Sequence, residues 1–481
     1  MDMFIDGAWR EAACGARVEV FNPFDGGVVD SVPLGDAADA DAALRSAARA
    51  FVGWRATPLA ERVRLQKRAA AALRARAAEL GELLTRELGR PLAASIMEIE
   101  RSADLLEAYA EEGARLHAEM PLGGVAGEKT LITREPVGVV VAITPFNYPV
   151  TLLTFKLGAA LIAGCTVVAK PAEDTPLTTL RLAALFHEIG YPAGCFNVVT
   201  GTGRGIGMAL VEHPIPRKVA FTGGTAAGKA IAAAATGTLK RLTLELGGQS
   251  PAIVCADADL EAAASGIVRH AFANSGQFCY RVNRVFVERQ VYADFLARLV
   301  GGARDLRVGD PRADGVALGP LASEKIYRNS ELQIADAVRR GGRVLLGGER
   351  LRGGAYERGW FLPPTIIADA NPSMLVMREE TFGPVIGVAP FDNREEALRL
   401  ANDTRYGLAG FVFCGDLAVA LTMAERIEAG SVWVNNIQRS HHNAPFGGVK
   451  ESGIGREKGR YGVEAYLEYK TIYLSYPAGL G

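Results

Sequence analysis

No apolar run in this chain reaches the ~20 residues that a membrane-spanning helix needs. The opening residues, Met1-Asp-Met-Phe-Ile-Asp6, have neither the basic start nor the apolar stretch of an export signal. Neither sign of charge is in excess: 53 lysines and arginines stand against 54 aspartates and glutamates, for a formal net charge of -1. A chain so balanced has no electrostatic reason to bind nucleic acid or an anionic membrane. Cysteine is sparse and unpatterned. The six residues at 14, 165, 195, 255, 279 and 414 include no CxxC pair and no Cys/His cluster with metal-ligand spacing. The expectation is a reduced, cytoplasmic protein without a metal site.

What is present is ordinary in amount and unusual in arrangement. The composition, 49% hydrophobic and 22% charged, is that of a globular chain. Its 481 residues are too many for one core and suggest about three structural units. Residues 1–35 carry strand-like pieces broken by Asp6-Gly7, Asn22-Pro23 and Asp25-Gly-Gly27, which predicts a hairpin arm. Three amphipathic helices are expected next. The second starts at Thr57-Pro58 and repeats Leu65, Ala69, Leu73, Ala77, Leu80 and Leu84, and the third covers about 93–117.

From Val137 the pattern alternates between strand and helix. The strands are 137–143, 166–170, 196–199, 218–222 and 242–246, as in a doubly wound nucleotide-binding domain. A second alternating series covers 252 to about 430, with strands near 252–255, 282–288, 343–346, 384–389, 410–413 and 431–434. The apolar strand 468–474 stands far from any hairpin partner and is expected to pair with another subunit.

Two glycine-rich stretches are misleading. Gly223-Gly-Thr-Ala-Ala-Gly228-Lys229 begins like a P-loop, but Ala230 stands where a Ser or Thr hydroxyl would hold magnesium. Gly201-Thr-Gly203-Arg-Gly-Ile-Gly207 has its third glycine out of step with GxGxxG and follows the third strand rather than the first.

Five segments carry unusual polar residues, the first four at the C-terminal end of a predicted strand, where open α/β sheets carry their sites, and the fifth ahead of a strand. They are Thr144-Pro-Phe-Asn147-Tyr-Pro149, Lys170-Pro-Ala-Glu173, Glu245-Leu-Gly-Gly248, Gly276-Gln-Phe-Cys279, and Glu379-Glu380-Thr-Phe382-Gly-Pro384. Each has a plain explanation alone: Asn147 as turn chemistry, Glu173 as a charge at a helix N-terminus, Glu245 as half of a buried ion pair, Cys279 as a small buried hydrophobe. Together, and in this order, they resemble the aldehyde dehydrogenase superfamily. The resemblance extends from Phe4-Ile-Asp-Gly-Ala-Trp9 to Pro445-Phe-Gly-Gly-Val-Lys450-Glu-Ser-Gly-Ile-Gly-Arg456.

That resemblance implies an α/β fold: a Rossmann-like cofactor domain (1–117 and 137–249), an α/β catalytic domain (250–463) and a small β oligomerisation element (118–136 and 464–481). It implies Cys279 as the nucleophile that adds to an aldehyde, Asn147 and the Cys279 N–H as oxyanion donors, and Glu245 as general base. Lys170 and Glu173 would hold the adenosine ribose of NAD, with NADP the second choice because a carboxylate repels a 2′-phosphate. Thr222, Gly223 and Gly224 would cradle the pyrophosphate, and Glu380 with Phe382 would meet the nicotinamide ribose. Relatives that pass the acyl group to coenzyme A lack the LELGG glutamate, so Glu245 favours release of a free acid over that alternative. A second alternative is a catalytically silent member of the fold, and intact Cys279, Glu245 and Asn147 argue against it. The implied partners are a small aldehyde and one or three further copies of the chain, as a homodimer or homotetramer.

The aldehyde itself is less legible. Relatives acting on succinic semialdehyde carry arginine at the position of Phe155 and another near Ala273, and both are absent here. Arg281 and the run Arg439-Ser-His441-His442 are the expected cationic candidates for an anionic tail at the site mouth.

Overall fold

The computed structural model describes residues 1–121, 125–437 and 440–477. In its first sheet five parallel strands stand in the order Phe196–Val198, Thr166–Lys170, Val139–Ile143, Lys218–Thr222 and Arg241–Glu245. The three central strands are buried at every residue, as their unbroken apolar runs require of a sheet covered on both faces. The hairpin Met3–Ile5/Ala8–Arg10 extends one edge, turning through Asp6 and Gly7 at positive φ. Gly453–Ile454, expected in the catalytic part, closes the other edge antiparallel to Arg241–Glu245.

Val139–Ile143 is the first parallel strand in the chain, and later strands flank it on both sides. The strand order therefore reverses beside it, and a crevice opens at the carboxyl ends of Val139–Ile143 and Lys218–Thr222.

The second sheet has seven strands, in the order Arg343–Leu346, Thr365–Ala368, Val385–Phe391, Val282–Glu288, Ser250–Val254, Ala409–Phe413 and Ser431–Val434. All neighbours are parallel except the first pair. Thr365–Ala368 is a strand that sequence reading misses, because four residues behind Pro363-Pro364 look like a loop.

The helical arm differs from expectation in one respect. Four helices, not three, precede the first sheet's parallel strands: Ala37–Ala56, Leu59–Ala75, Ala77–Leu88 and Leu92–Ala114. The expected second helix breaks at Arg76 (φ -109, ψ 16). The apolar spacing across the break keeps helical register, so periodicity cannot reveal it.

The tail strand Leu467–Ser475 pairs antiparallel with Glu128–Pro136 of the same chain over nine residue pairs, from Leu467↔Pro136 to Ser475↔Glu128. Its first partner is thus its own chain, as the resemblance implies, and not a second subunit. Tyr469, Ile472, Tyr473 and Leu474 on this strand remain exposed. No helix among the described residues is long and apolar enough to cross a membrane.

Candidate active site

The nucleophile loop rests on backbone that few sequences tolerate. Asn274 (φ 50, ψ 36) and Ser275 (φ 54, ψ 34) are both left-handed, and Gly276 follows at φ 74. A non-glycine residue there costs about 1–2 kcal/mol, so the surroundings must hold it. Asn274 Nδ2 donates to the carbonyls of Asn147 (3.1 Å) and Gln277 (3.2 Å), and Gln277 Nε2 donates back to Asn274 O at 3.0 Å. Ser275 Oγ donates to Gly319 O at 2.8 Å, and Gln277 Oε1 accepts from the Ala322 N–H at 2.9 Å. At Gly276 a Cβ would lie 2.3 Å from Gly383 O. Strain held by its surroundings is the mark of a functional loop.

Cys279 leaves this loop half-buried, just ahead of Val282–Glu288. It therefore enters from the amino end of its strand, not from the carboxyl end expected of it; Asn147, Lys170 and Glu245 do stand at carboxyl ends, and Glu380 precedes Val385–Phe391. The site forms where carboxyl ends of the first sheet face amino ends of the second. Gly248 permits the approach, since a Cβ there would lie 2.2 Å from Cys279 O.

Asn147 reaches the same place from the other side. The strand Val139–Ile143 ends, and Pro149 opens the helix Pro149–Ala163. Glu98 Oε1 accepts from the N–H groups of Val150 and Thr151, both at 2.9 Å. Its other oxygen pairs with Arg90 in a fully buried ion pair. The Arg90 guanidinium lies 4.7 Å over the Tyr148 ring. Asn147 Nδ2 donates to Gln277 O at 3.0 Å. That bond orients the amide and leaves its second hydrogen for a developing oxyanion. Asn147→Ala is expected to lower kcat by about 10²–10³-fold with the fold intact. Steady-state nicotinamide reduction beside a melting curve checks this.

Glu245 ends the strand Arg241–Glu245, buried, and neither carboxylate oxygen has a hydrogen-bond partner among the described residues. Burial raises its pKa well above the ordinary carboxylate range; the Glu457 charge adds to this, and Lys156 opposes it. Gly447 leaves it room, since a Cβ there would lie 2.6 Å from Glu245 Oε1. Beside it stands a pair that sequence reading missed. Lys156 Nζ, fully buried, donates to Glu457 Oε1 at 2.8 Å and to Thr222 Oγ1 at 2.6 Å. Separated by 301 residues, the two ions carry no spacing signal. The Cys279 thiol is pushed up by burial, then by the Glu380 and Glu245 charges.

The dinucleotide side is equally specific. Glu380 Oε1 accepts from the Gly248 N–H at 3.0 Å, and burial pushes its carboxyl up to about 7. Phe382, at φ 55, meets Phe146 edge-on at 5.7 Å. Lys170 is buried and pushed down to about 8, with Nζ donating to Pro171 O. Glu173 Oε1 accepts from the Gly203 N–H at 2.9 Å.

The Gly203–Gly207 stretch is a π-helical turn capped by Thr202, consistent with its poor match to a dinucleotide fingerprint. Of the three proposed pyrophosphate residues, two are already engaged: Thr222 Oγ1 by Lys156, and the Gly223 N–H by Glu245 O at 3.0 Å. The Gly223 N–H is thus committed to the neighbouring strand. Gly224 caps the helix Thr225–Ala235, and a Cβ there would meet nothing within 4 Å, so a phosphate can approach that helix start closely. An open helix N-terminus of this kind suits the phosphates of a dinucleotide. Lys229, the misleading P-loop lysine, is bound to Glu451 at 2.7 Å.

The expected mouth residues divide. Arg281 is completely buried, donates to Val282 O (3.2 Å) and Val385 O (2.8 Å), and is pushed down to about 9 by burial. It leads into a central strand and points into the core, so it is corrected as a substrate ligand. Phe155 stays at the mouth, 6.4 Å from Phe446 and with Lys458 Nζ 5.8 Å from its ring. Phe446 meets Tyr280 at 5.4 Å, Tyr280 meets Phe278 at 5.2 Å, and Phe278 meets Tyr148 at 6.4 Å. These rings form a collar joining the Asn147 and Cys279 segments. His441 is exposed, and His442 is half-buried with Nδ1 lacking a hydrogen-bond partner. Arg439 lies outside the described residues.

Residues 9–472 match the model of the aldehyde dehydrogenase family. The chain belongs to that family. It is 40% identical to 3-sulfolactaldehyde dehydrogenase of Pseudomonas putida, over 98% of this chain and 96% of that one. It is also 40% identical to the NADP(+) succinate-semialdehyde dehydrogenase of Escherichia coli, over 97% and 96%. Its fold superposes on betaine aldehyde dehydrogenase of Staphylococcus aureus, solved in complex with NAD+, with a TM-score of 0.96 at 33% identity, covering 98% and 94% of the two chains. This aldehyde dehydrogenase is an oxidoreductase that acts on an aldehyde.

Proposed function

We propose that the aldehyde oxidised here is short and carries an acid group at its far end, and that NAD is the preferred cofactor. The observation that carries the catalytic assignment is the convergence of Cys279, Asn147 and Glu245 from different segments. The Cys279 thiol gives up its proton, to Glu245 or directly to solvent, the sulfur bonds to the carbonyl carbon, and the displaced π pair settles on oxygen. The Asn147 amide and the Cys279 N–H stabilise that oxyanion. A dinucleotide held by Lys170, Glu173, Gly224 and Glu380 would supply the acceptor for the hydride leaving that carbon, and Cys279 would then carry the acyl group as a thioester. Glu245, ionised again once any proton it took has passed to solvent, deprotonates water, the water oxygen attacks the thioester carbon, and the C–S bond breaks to release the acid and the thiolate.

The relatives support the substrate class, because both 3-sulfolactaldehyde and succinate semialdehyde carry an acid group. Glu173 supports NAD. Glu173→Gln is expected to improve kcat/KM for NADP relative to NAD by at least about tenfold, since like-charge contacts cost several kcal/mol. A wild type that already prefers NADP would remove that role. A cytoplasmic homo-oligomer is supported by six free cysteines and by the apolar outer residues of Leu467–Ser475.

The test follows nicotinamide reduction over acid-tailed, aliphatic and aromatic aldehydes, with and without coenzyme A. Fastest turnover on an acid-tailed aldehyde, independent of coenzyme A, is expected. Best activity on an uncharged aldehyde overturns the substrate class.

A further inference from the structure

One arginine near the collar is unlike the others. The helix Leu92–Ala114 runs beside the Asn147 turn: Glu98 caps the helix Pro149–Ala163, and Ser102 Oγ lies 3.1 Å from Thr151 Oγ1. Arg101 sits between those two contact residues. It is half-buried, and burial lowers its pKa. Its charge is felt by Tyr280, Asp104 and Tyr148 through space, and it forms no hydrogen bond or ion pair among the described residues. The other buried arginines nearby are all engaged: Arg90 holds Glu98, and Arg281 and Arg284 cap backbone carbonyls. Asp104, the carboxylate in Arg101's field, is bound by Arg74 at 2.7 Å.

The surroundings place this cation at the reaction centre's entrance. Tyr148 and Tyr280 both interact electrostatically with the Cys279 thiol. Across the collar, His442 interacts with Arg101 and Lys458. Lys458 Nζ is held by Ser440 O (3.1 Å) and Ser440 Oγ (2.7 Å), and neither partner neutralises it. Two cations and a histidine therefore share a partly desolvated rim whose nearby carboxylate is already taken, which is costly unless an anion joins them.

We infer that Arg101, with Lys458 and His442 opposite, forms the subsite that binds the acid group of an aldehyde whose carbonyl lies at Cys279. The inference rests on the reading of Cys279 as nucleophile. The planar guanidinium suits two oxygens of a carboxylate or sulfonate. Because Tyr148 and Tyr280 lie within electrostatic reach of both Arg101 and Cys279, the tail between the two groups is short. This subsite takes over the role of the arginines missing at Phe155 and Ala273.

The test compares wild type, R101M and R101K as full-length protein with NAD. The aldehydes are succinic semialdehyde, 3-sulfolactaldehyde and butanal, which matches the first in chain length but lacks the acid. In R101M the ratio of kcat/KM for the acid aldehydes over butanal is expected to fall about 10- to 100-fold, the range of a lost charge-assisted hydrogen bond. The loss should appear in KM more than in kcat, with partial recovery in R101K. Succinate, which has no aldehyde, should inhibit the wild type competitively and R101M more weakly. An unchanged ratio, or equal losses on butanal and the acids, overturns the subsite. A wild type that oxidises butanal as well as the acids also overturns the subsite but spares the nucleophile, whereas no turnover on any aldehyde overturns both.

Discussion

Cys279→Ala is expected to abolish turnover, lowering kcat on the best aldehyde by about 10⁴-fold or more. The expectation follows from how little else in the site can bond to the carbonyl carbon. Asn147 offers an amide that donates a hydrogen bond and is no nucleophile, and Glu245 is a buried carboxylate whose raised pKa suits proton transfer over attack on carbon. The loop should survive the change, because its left-handed turn is tied by Asn274, Ser275 and Gln277 rather than by the thiol. Melting temperature should therefore stay close to wild type while nicotinamide reduction disappears. Turnover within about tenfold of wild type would remove Cys279 from the chemistry.

Glu245→Gln should separate the two halves of the reaction. The amide fits the same cavity and cannot take a proton from water, so the thioester accumulates. Steady-state turnover is expected to fall about 10²–10⁴-fold. A rapid burst of nicotinamide reduction, up to one equivalent per active site, should persist if the thiolate still forms from solvent base. Loss of the burst as well would mean that Glu245 is also the base for the thiol.

The pH dependence has a definite sign. Burial and Glu457 raise the Glu245 pKa, and only the ionised carboxylate is a base. Wild-type kcat should therefore rise with pH through a midpoint above the ordinary carboxylate range, and that limb should vanish in the glutamine variant. A flat wild-type profile across neutral pH would contradict this role.

Much of this was readable along the chain because short-range chemistry leaves local marks. Apolar runs such as Val139–Ile143 report strands buried on both faces. The turn residues around Asn147, Glu245 and Glu380 report strand ends. Family-wide spacing ties these marks to one reaction, so Cys279, Asn147 and Glu245 could be named before any coordinates.

What could not be read is what depends on contacts between distant segments. Lys156 and Glu457 find each other across 301 residues, and nothing near either one in sequence announces a buried pair. Arg281 looked like a mouth residue by its nearness to Cys279. The strand it leads into sends its side chain to carbonyls in the core, and a two-residue separation says nothing about that direction. Arg101 shows the converse: in sequence it is one arginine on a helix rich in charge. Only the packing of that helix beside Tyr148 and Tyr280 brings an unpaired cation to the site. Periodicity and motif spacing report which elements form and which chemistry they can carry. Which charges end up facing one another is settled by how the two sheets and the helical arm close together.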